Sequence, residues 1–182
     1  MIKFLNAVIY EIRSVFLNMI IFWPVTPFGN FLRNKYWSRK TGIQYIEVGR
    51  GTNLGDCNKL ELGAGIEFGE NIVLTIDTSP VYIGSNVIIA RSMYLRTSNH
   101  KFDDPYIPIK EQGHITKTVT YKDKKYSVVI EDDVWIGANV TILGGTRIER
   151  GSVVGACSLV SGNIPPYSIA VGIPAKVVSK RN

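Results

Sequence analysis

Two cysteines, two histidines and three methionines are all that this 182-residue chain holds of those types. Cys57 and Cys157 are too few for a disulfide framework and have no metal-like spacing, which fits a reducing, cytoplasmic setting with buried thiols. Two histidines are also too few for a zinc site built on three imidazoles, so no metal is expected. No apolar run reaches the roughly 20 residues that a spanning helix needs. The first apolar stretch is cut by Arg13 and closed by Pro24, and no small-residue cleavage site marks it as a secretory signal. The formal charge is +6, yet no compact Lys/Arg stripe with interleaved aromatics is present, which argues against nucleic acid as a partner. Acidic residues are nearly missing from residues 1–45. Glu11 stands there alone against Lys3, Arg13, Arg33, Lys35, Arg39 and Lys40, a net charge of +5.

What is present in quantity is a six-residue repeat. Ile130, Ile136, Ile142, Ile148, Val154 and Val160 follow one another at a constant interval of six. Neither a helical period nor simple strand alternation produces that spacing. Upstream, Val48 and Leu54, then Leu62, Phe68 and Leu74, then Ile83, Ile89 and Leu95 continue it with offsets. Two residues before each member of the second block comes a small or apolar one: Val128, Val134, Val140, Thr146, Ser152, Ser158. In extended chain, i and i−2 point the same way. Both sets are expected to face the inside of a narrow prism whose three flat sides make one coil of about 18 residues. Glycine follows many of the aliphatics, as in Val48-Gly49, Leu62-Gly63 and Ile136-Gly137. This suits a turn with positive φ. The fold class expected is all-β, a parallel β-helix, with a short α-helical N-terminal extension.

Residues 1–45 carry no hexad. Ile2, Leu5, Ile9, Ile12, Phe16, Met19 and Trp23 fall on one face of a helix, and Pro24 and Pro27 should end it. This basic, apolar extension either packs on the protein or lies peripherally on a membrane. Residues 46–175 form the repeat domain, and 176–182 a basic C-terminal tail.

The repeat fails between Leu95 and Ile130, and about residues 97–127 read as a loop insertion. A long interruption of a regular domain is often functional. It opens on Thr97-Ser98-Asn99-His100, so a rigid scaffold could hold His100 beside a mobile flap. Lys101-Phe102-Asp103-Asp104 and Lys122-Asp123-Lys124-Lys125 read as solvated parts of that flap. His114 within it is given no role.

The aliphatic-Gly hexads, the Thr-Ser-Asn-His stretch and the run Val134-Trp135-Ile136-Gly137-Ala138 resemble the left-handed β-helix, or hexapeptide-repeat, acetyltransferases. The ending from Ile164-Pro165-Pro166 through Gly172-Ile173-Pro174-Ala175-Lys176 is similar too. The likeness is to the galactoside, maltose and xenobiotic branch, nearest the bacterial polysaccharide O-acetyltransferases. It covers about residues 46–180. The resemblance implies a left-handed coil, a homotrimer with sites between subunits, and direct transfer from acetyl-CoA as co-substrate. His100 would be the general base, an imidazole suited to accepting a proton near neutral pH. Asp77 and Asn99 would bind a saccharide or glycan acceptor. Trp135, Ala138 and Ala156 would line the pantetheine arm, small side chains letting the backbone approach it. Lys176 and Lys180 would meet the CoA phosphates. The chain departs from several relatives at Ser161-Gly162-Asn163, where a cation is missing at Gly162.

Other readings remain open at this point. A soluble enzyme acetylating a free sugar or an antibiotic shares these motifs. A serine acetyltransferase would carry a long helical N-terminal domain. A carbonic anhydrase on the same prism would need three histidine ligands. A catalytically inactive β-helix scaffold is opposed by the intact Asn99-His100 pair.

Overall fold

The structure, a computed structural model, describes residues 2–181. The side chains of Ile2, Lys3, Phe4 and Ala7, and hence the Ile2 position of the helical pattern and the Lys3 charge, lie outside the described residues. Helix α1 spans Ile2–Phe22 and α2 spans Pro27–Thr41. Pro27 opens α2 where its missing N–H costs nothing, and the Thr26 side chain accepts from the Gly29 N–H. Gly42 closes it in the left-handed conformation.

From Ile46 on, short strands stack into three sheets of seven, five and four strands, one per prism face, parallel throughout except for the last strand of the seven. Val128 pairs with Thr146 and Ile136 with Val154, so one full coil takes 18 residues here. The first face carries Trp135–Ile136 on Val153–Val154, and the second carries Thr141–Leu143 on Leu159–Val160. The third carries Val128–Ile130 on Thr146–Ile148. Ile130, Ile136, Ile142, Ile148 and Val154 are 0% exposed and Val160 1%. Val128, Val140, Thr146 and Ser152 of the companion set are equally enclosed. Both sets therefore fill the prism, as the spacing requires.

The glycines correct one expectation. Gly55, after Leu54, does adopt positive φ, but Gly49, Gly63, Gly69 and Gly137 do not. A Cβ on Gly63 would lie 2.5 Å from Ser85 N, and one on Gly69 2.8 Å from Arg91 N. Glycine is needed there because successive coils touch backbone to backbone. Positive φ falls two residues later, in columns at the corners. One column runs Gly51, Asn71, Ser92, Asn139 and Cys157, another Gly65, Asn86, Asp133, Gly151 and Tyr167. Asparagine and aspartate tolerate that region better than other side chains.

The thiols also depart from expectation. Cys57 is half-buried and Cys157 exposed on its corner. Burial pushes the Cys57 thiol above its ordinary value.

The coil ends on a hairpin, where Ser168–Gly172 pairs antiparallel with Ala175–Lys180. At the other end α2 lies against the strand Ile46–Val48. Arg33, 1% exposed, fastens it. Its guanidinium donates to Val48 O at 3.3 Å, to Trp23 O at 2.6 Å and to Asn30 Oδ1. Leu17 and Ile21 of α1 join the core with Tyr36 and Trp37 of α2. The other side of α1 is exposed: Leu5, Ile12, Phe16 and Met19 are 51–64% exposed. Among the described residues, no helix is long and apolar enough to cross a membrane.

Candidate active site

The insertion leaves the prism at the corner between the second and third faces. Strand Tyr94–Arg96 ends the second face, and Val128–Ile130 resumes on the third. The exit is anchored firmly. Thr97 and Ser98 are buried. The Asp77 N–H donates to Thr97 Oγ1 at 2.9 Å, and the Ser98 hydroxyl donates to Asp77 Oδ2. Ser127, at the return of the loop, donates to Thr97 O at 2.9 Å. Gly144 of the next coil leaves room for this crossing, since a Cβ there would meet Ser127 Oγ at 2.9 Å.

From this anchor Asn99–His100 runs out as an exposed strand, paired antiparallel with His114–Ile115. The imidazoles of His100 and His114 face each other, centroids 4.5 Å apart and planes at 39°. Thr78 and Thr116 Oγ1 atoms, 3.0 Å apart, tie the second strand to the same corner. Asp77, Asn99 and His100 are thus gathered at one place. Of the Asp77 carboxylate, Oδ2 is engaged by Ser98.

The rest of the insertion is not all solvated. Residues Val119–Tyr121 and Lys124–Tyr126 form a hairpin over the third face. Its turn, Lys122 to Lys125, is exposed. Its tyrosines are not: Tyr82 lies 5.1 Å from Tyr121 and 5.8 Å from Tyr126, and the Tyr126 hydroxyl donates to Glu61 at 2.8 Å. Burial first, and then the Glu61 carboxylate, push the Tyr126 phenol up to about 12. Solvent patterning alone misses this packing, because it depends on Tyr82 of an earlier coil. Residues Phe102 to Glu111 remain an exposed flap.

The other candidates occupy a different corner, between the first and second faces. Ala138 and Ala156 hold equivalent places after the first-face strands of two successive coils, each preceded by a glycine, Gly137 and Gly155; Arg91 holds that place in the coil before. Cys157 N–H donates to Ala138 O at 2.8 Å, and Asn139 N–H to Arg91 O at 3.0 Å. Ala138 and Ala156 thus make a short seam with little side chain along it. Trp135, 53% exposed, projects from the adjoining first face. Lys176 and Lys180 are exposed on the closing hairpin. Lys180 Nζ is turned onto Pro166 O at 3.2 Å and Ser168 Oγ at 3.1 Å. Within one chain, the histidine corner and the alanine seam stand at opposite edges of the second face. Among the described residues, no cluster of three His, Cys, Asp or Glu is gathered as a metal site would be.

A family model for the bacterial transferase hexapeptide (six repeats) matches residues 127–162. A probable acetyltransferase of Mycobacterium tuberculosis is 41% identical over 145 residues, covering 76% of this chain and 45% of the relative. The galactoside O-acetyltransferase of Lactococcus lactis is 35% identical over 131 residues, 71% of this chain and 56% of the relative. The chain belongs to the hexapeptide-repeat acetyltransferases.

These matches span about half the length of the curated relatives. Another hexapeptide-repeat acetyltransferase, from Vibrio cholerae, has a crystal structure with TM-score 0.70 and 26% identity. That match covers 93% of this chain and 89% of the other. The Vibrio protein has also been crystallised with acetyl coenzyme A. The coil of this member is accordingly the left-handed parallel β-helix of its family.

Proposed function

We propose that the protein is an acetyl-CoA-dependent O-acetyltransferase that acts on a saccharide hydroxyl, with His100 as general base. The observation that carries this is His100 itself, displayed on a strand whose base is bolted to the coil through Ser98 and Asp77. Acetyl-CoA supplies a thioester. His100 accepts the proton of the acceptor hydroxyl as that oxygen attacks the thioester carbonyl, and returns it to the departing thiolate. Asn99 and Asp77 flank the acceptor. The seam at Ala138 and Ala156, with Trp135 beside it, suits an extended pantetheine arm. Lys176 is an exposed cation for the phosphates, and Lys180 could join it by giving up its two protein acceptors. The galactoside enzyme among the relatives supports a saccharide acceptor, and the acetyl-CoA complex of the Vibrio neighbour supports the donor. The separation of the two corners supports a homotrimer, in which one chain's histidine corner would meet the next chain's alanine seam. The test is turnover of acetyl-CoA by purified protein with a panel of glycans. His100→Ala should lower it by about 10²–10⁴-fold, and unchanged turnover would sink the mechanism.

The acceptor in this reading is a bacterial surface glycan or its lipid-linked precursor, met by a protein resting on the cytoplasmic membrane. On α1, Leu5, Ile9, Ile12, Phe16 and Met19 fall on one side with Val8 and Val15, all 37–64% exposed. No charged residue interrupts that side, which runs for about 21 Å at the rise of a helix. Arg13 and Lys40 border it at Ile12 and Phe16, Lys35 and Arg39 follow on α2, and Glu11 is the one acid on its other margin, a basic excess that suits an interfacial helix on anionic lipid. Vesicles of anionic phospholipid should sediment with the protein, and Ile12→Asp with Phe16→Asp should abolish this. Equal sedimentation of that double variant would remove the membrane from the proposal.

A further inference from the structure

We propose that His114 is a positioning residue for His100, its ring packing on the other imidazole so that the base keeps one orientation. The inference rests on the reading of His100 as the base. It starts from register. His100 lies opposite His114 in the antiparallel ribbon. The Lys101 N–H donates to Gly113 O at 3.0 Å, which makes Lys101 and Gly113 a hydrogen-bonded pair. His100 and His114 are then a non-hydrogen-bonded pair, the kind whose Cα atoms come closest, and whose side chains leave the same side of the ribbon. The tilted contact at 4.5 Å follows from that geometry.

The contact has no competitor. Both histidines are exposed, and no hydrogen bond among the described residues engages either imidazole. Without His114, the His100 side chain would be free about both of its torsions, and a misplaced base loses rate steeply. Both legs of the ribbon are held to the prism: one by Ser98 on Asp77, the other by Thr116 on Thr78. Ser127 Oγ, 3.3 Å from Lys117 O, fixes the strand beyond Thr116. The backbone is thus placed by the coil, and the last freedom, that of the ring, is removed by a second ring across the ribbon.

The chain's only two histidines make the test direct, since each ring proton signal is assigned by deleting its partner. In full-length protein, NMR should show a cross-relaxation peak between the two rings. His114→Ala should move the His100 ring signals as the stacked neighbour disappears, while His114→Phe should retain an inter-ring peak. With acetyl-CoA and methyl galactoside as probes, His114→Ala should lower kcat about tenfold with the KM for acetyl-CoA unchanged, and His114→Phe should stay within about twofold of wild type. The NMR arm needs no acceptor: absence of the inter-ring peak in the wild type overturns the proposal. Wild-type kcat in His114→Ala overturns it as well, as does an equal loss in the Ala and Phe variants. If His100→Ala keeps full turnover, the general-base reading fails first. If His100→Ala is impaired while both His114 variants match wild type, only the present inference falls.

Discussion

Gly137→Ala tests why glycine follows the repeated aliphatic. Gly137 comes directly after Ile136, and its N–H donates to Val154 O at 2.8 Å. A Cβ at this position would lie 2.6 Å from Ala156 N and 2.9 Å from Ala156 Cα. These are backbone atoms of the next coil, so no rotamer change relieves the overlap. Ordinary contact lies at about 3.5 Å, so the two coils must part by roughly 0.9 Å locally. That strains the Gly137 bond to Val154 and the Cys157 bond to Ala138 O at 2.8 Å. Overpacking and two weakened ladder bonds together should cost about 2–3 kcal/mol. For a chain of this size that is a fall in Tm of roughly 5–10 °C. Far-UV circular dichroism at fixed protein concentration measures it, since the Tm of an oligomer shifts with concentration. Asparagine separates the two explanations. If glycine served a left-handed turn, Gly137→Asn would be milder than Gly137→Ala; under steric contact it is equal or worse. Gly113 is the control, with φ +78 and nothing within 4 Å of its added Cβ. There alanine should cost about 1 kcal/mol and asparagine less. A Gly137→Ala protein melting with the wild type, or rescue by asparagine, would refute the close-approach argument.

Three further outcomes are expected. The Ser85 N–H at 2.8 Å, and then Arg150, hold the Asp132 carboxyl below the usual carboxylate range. A depressed folded pKa contributes stability above the unfolded value, about 3.9, which is lost as pH falls through the folded one. Urea stability should therefore decline more steeply below about pH 4 in wild type than in Asp132→Asn. The difference should stay within about 1 kcal/mol, because the side chain is 38% exposed; parallel slopes would contradict it. Arg33→Met leaves the Trp23 and Val48 carbonyls without their donor, and should cost about 2–3 kcal/mol. Hydrogen exchange should quicken in α2 before the coil, and uniform quickening would count against a local fastening role. Ser98→Ala removes the hydroxyl that donates to Asp77. It should lower kcat about tenfold through the displaced His100 strand, with the melting temperature nearly kept; full activity would show that the Asp77 tie is dispensable.

The six-residue spacing from Ile130 to Val160 was enough to read the prism, its inward-facing residues and its coil length. Filling a narrow prism is a local requirement: every side repeats it, so every side writes it into the sequence. The break after Leu95 likewise marked where the loop leaves, because loss of a period is itself a local signal. What stayed hidden depends on residues distant in sequence. That Gly63, Gly69 and Gly137 answer the next coil's backbone, and not their own φ as Gly55 does, is a matter of stacking between coils. Cys157 lies on the surface because its corner position, equivalent to Asn139, turns it outward. Tyr121 and Tyr126 are covered because Tyr82 of an earlier coil waits beneath them. His114 looked like one more polar residue of a flap. Only the register of the ribbon, set by both legs being tied to one corner, puts its ring on His100. The separation of the histidine corner from the alanine seam is decided the same way, by which turn of the coil each residue occupies.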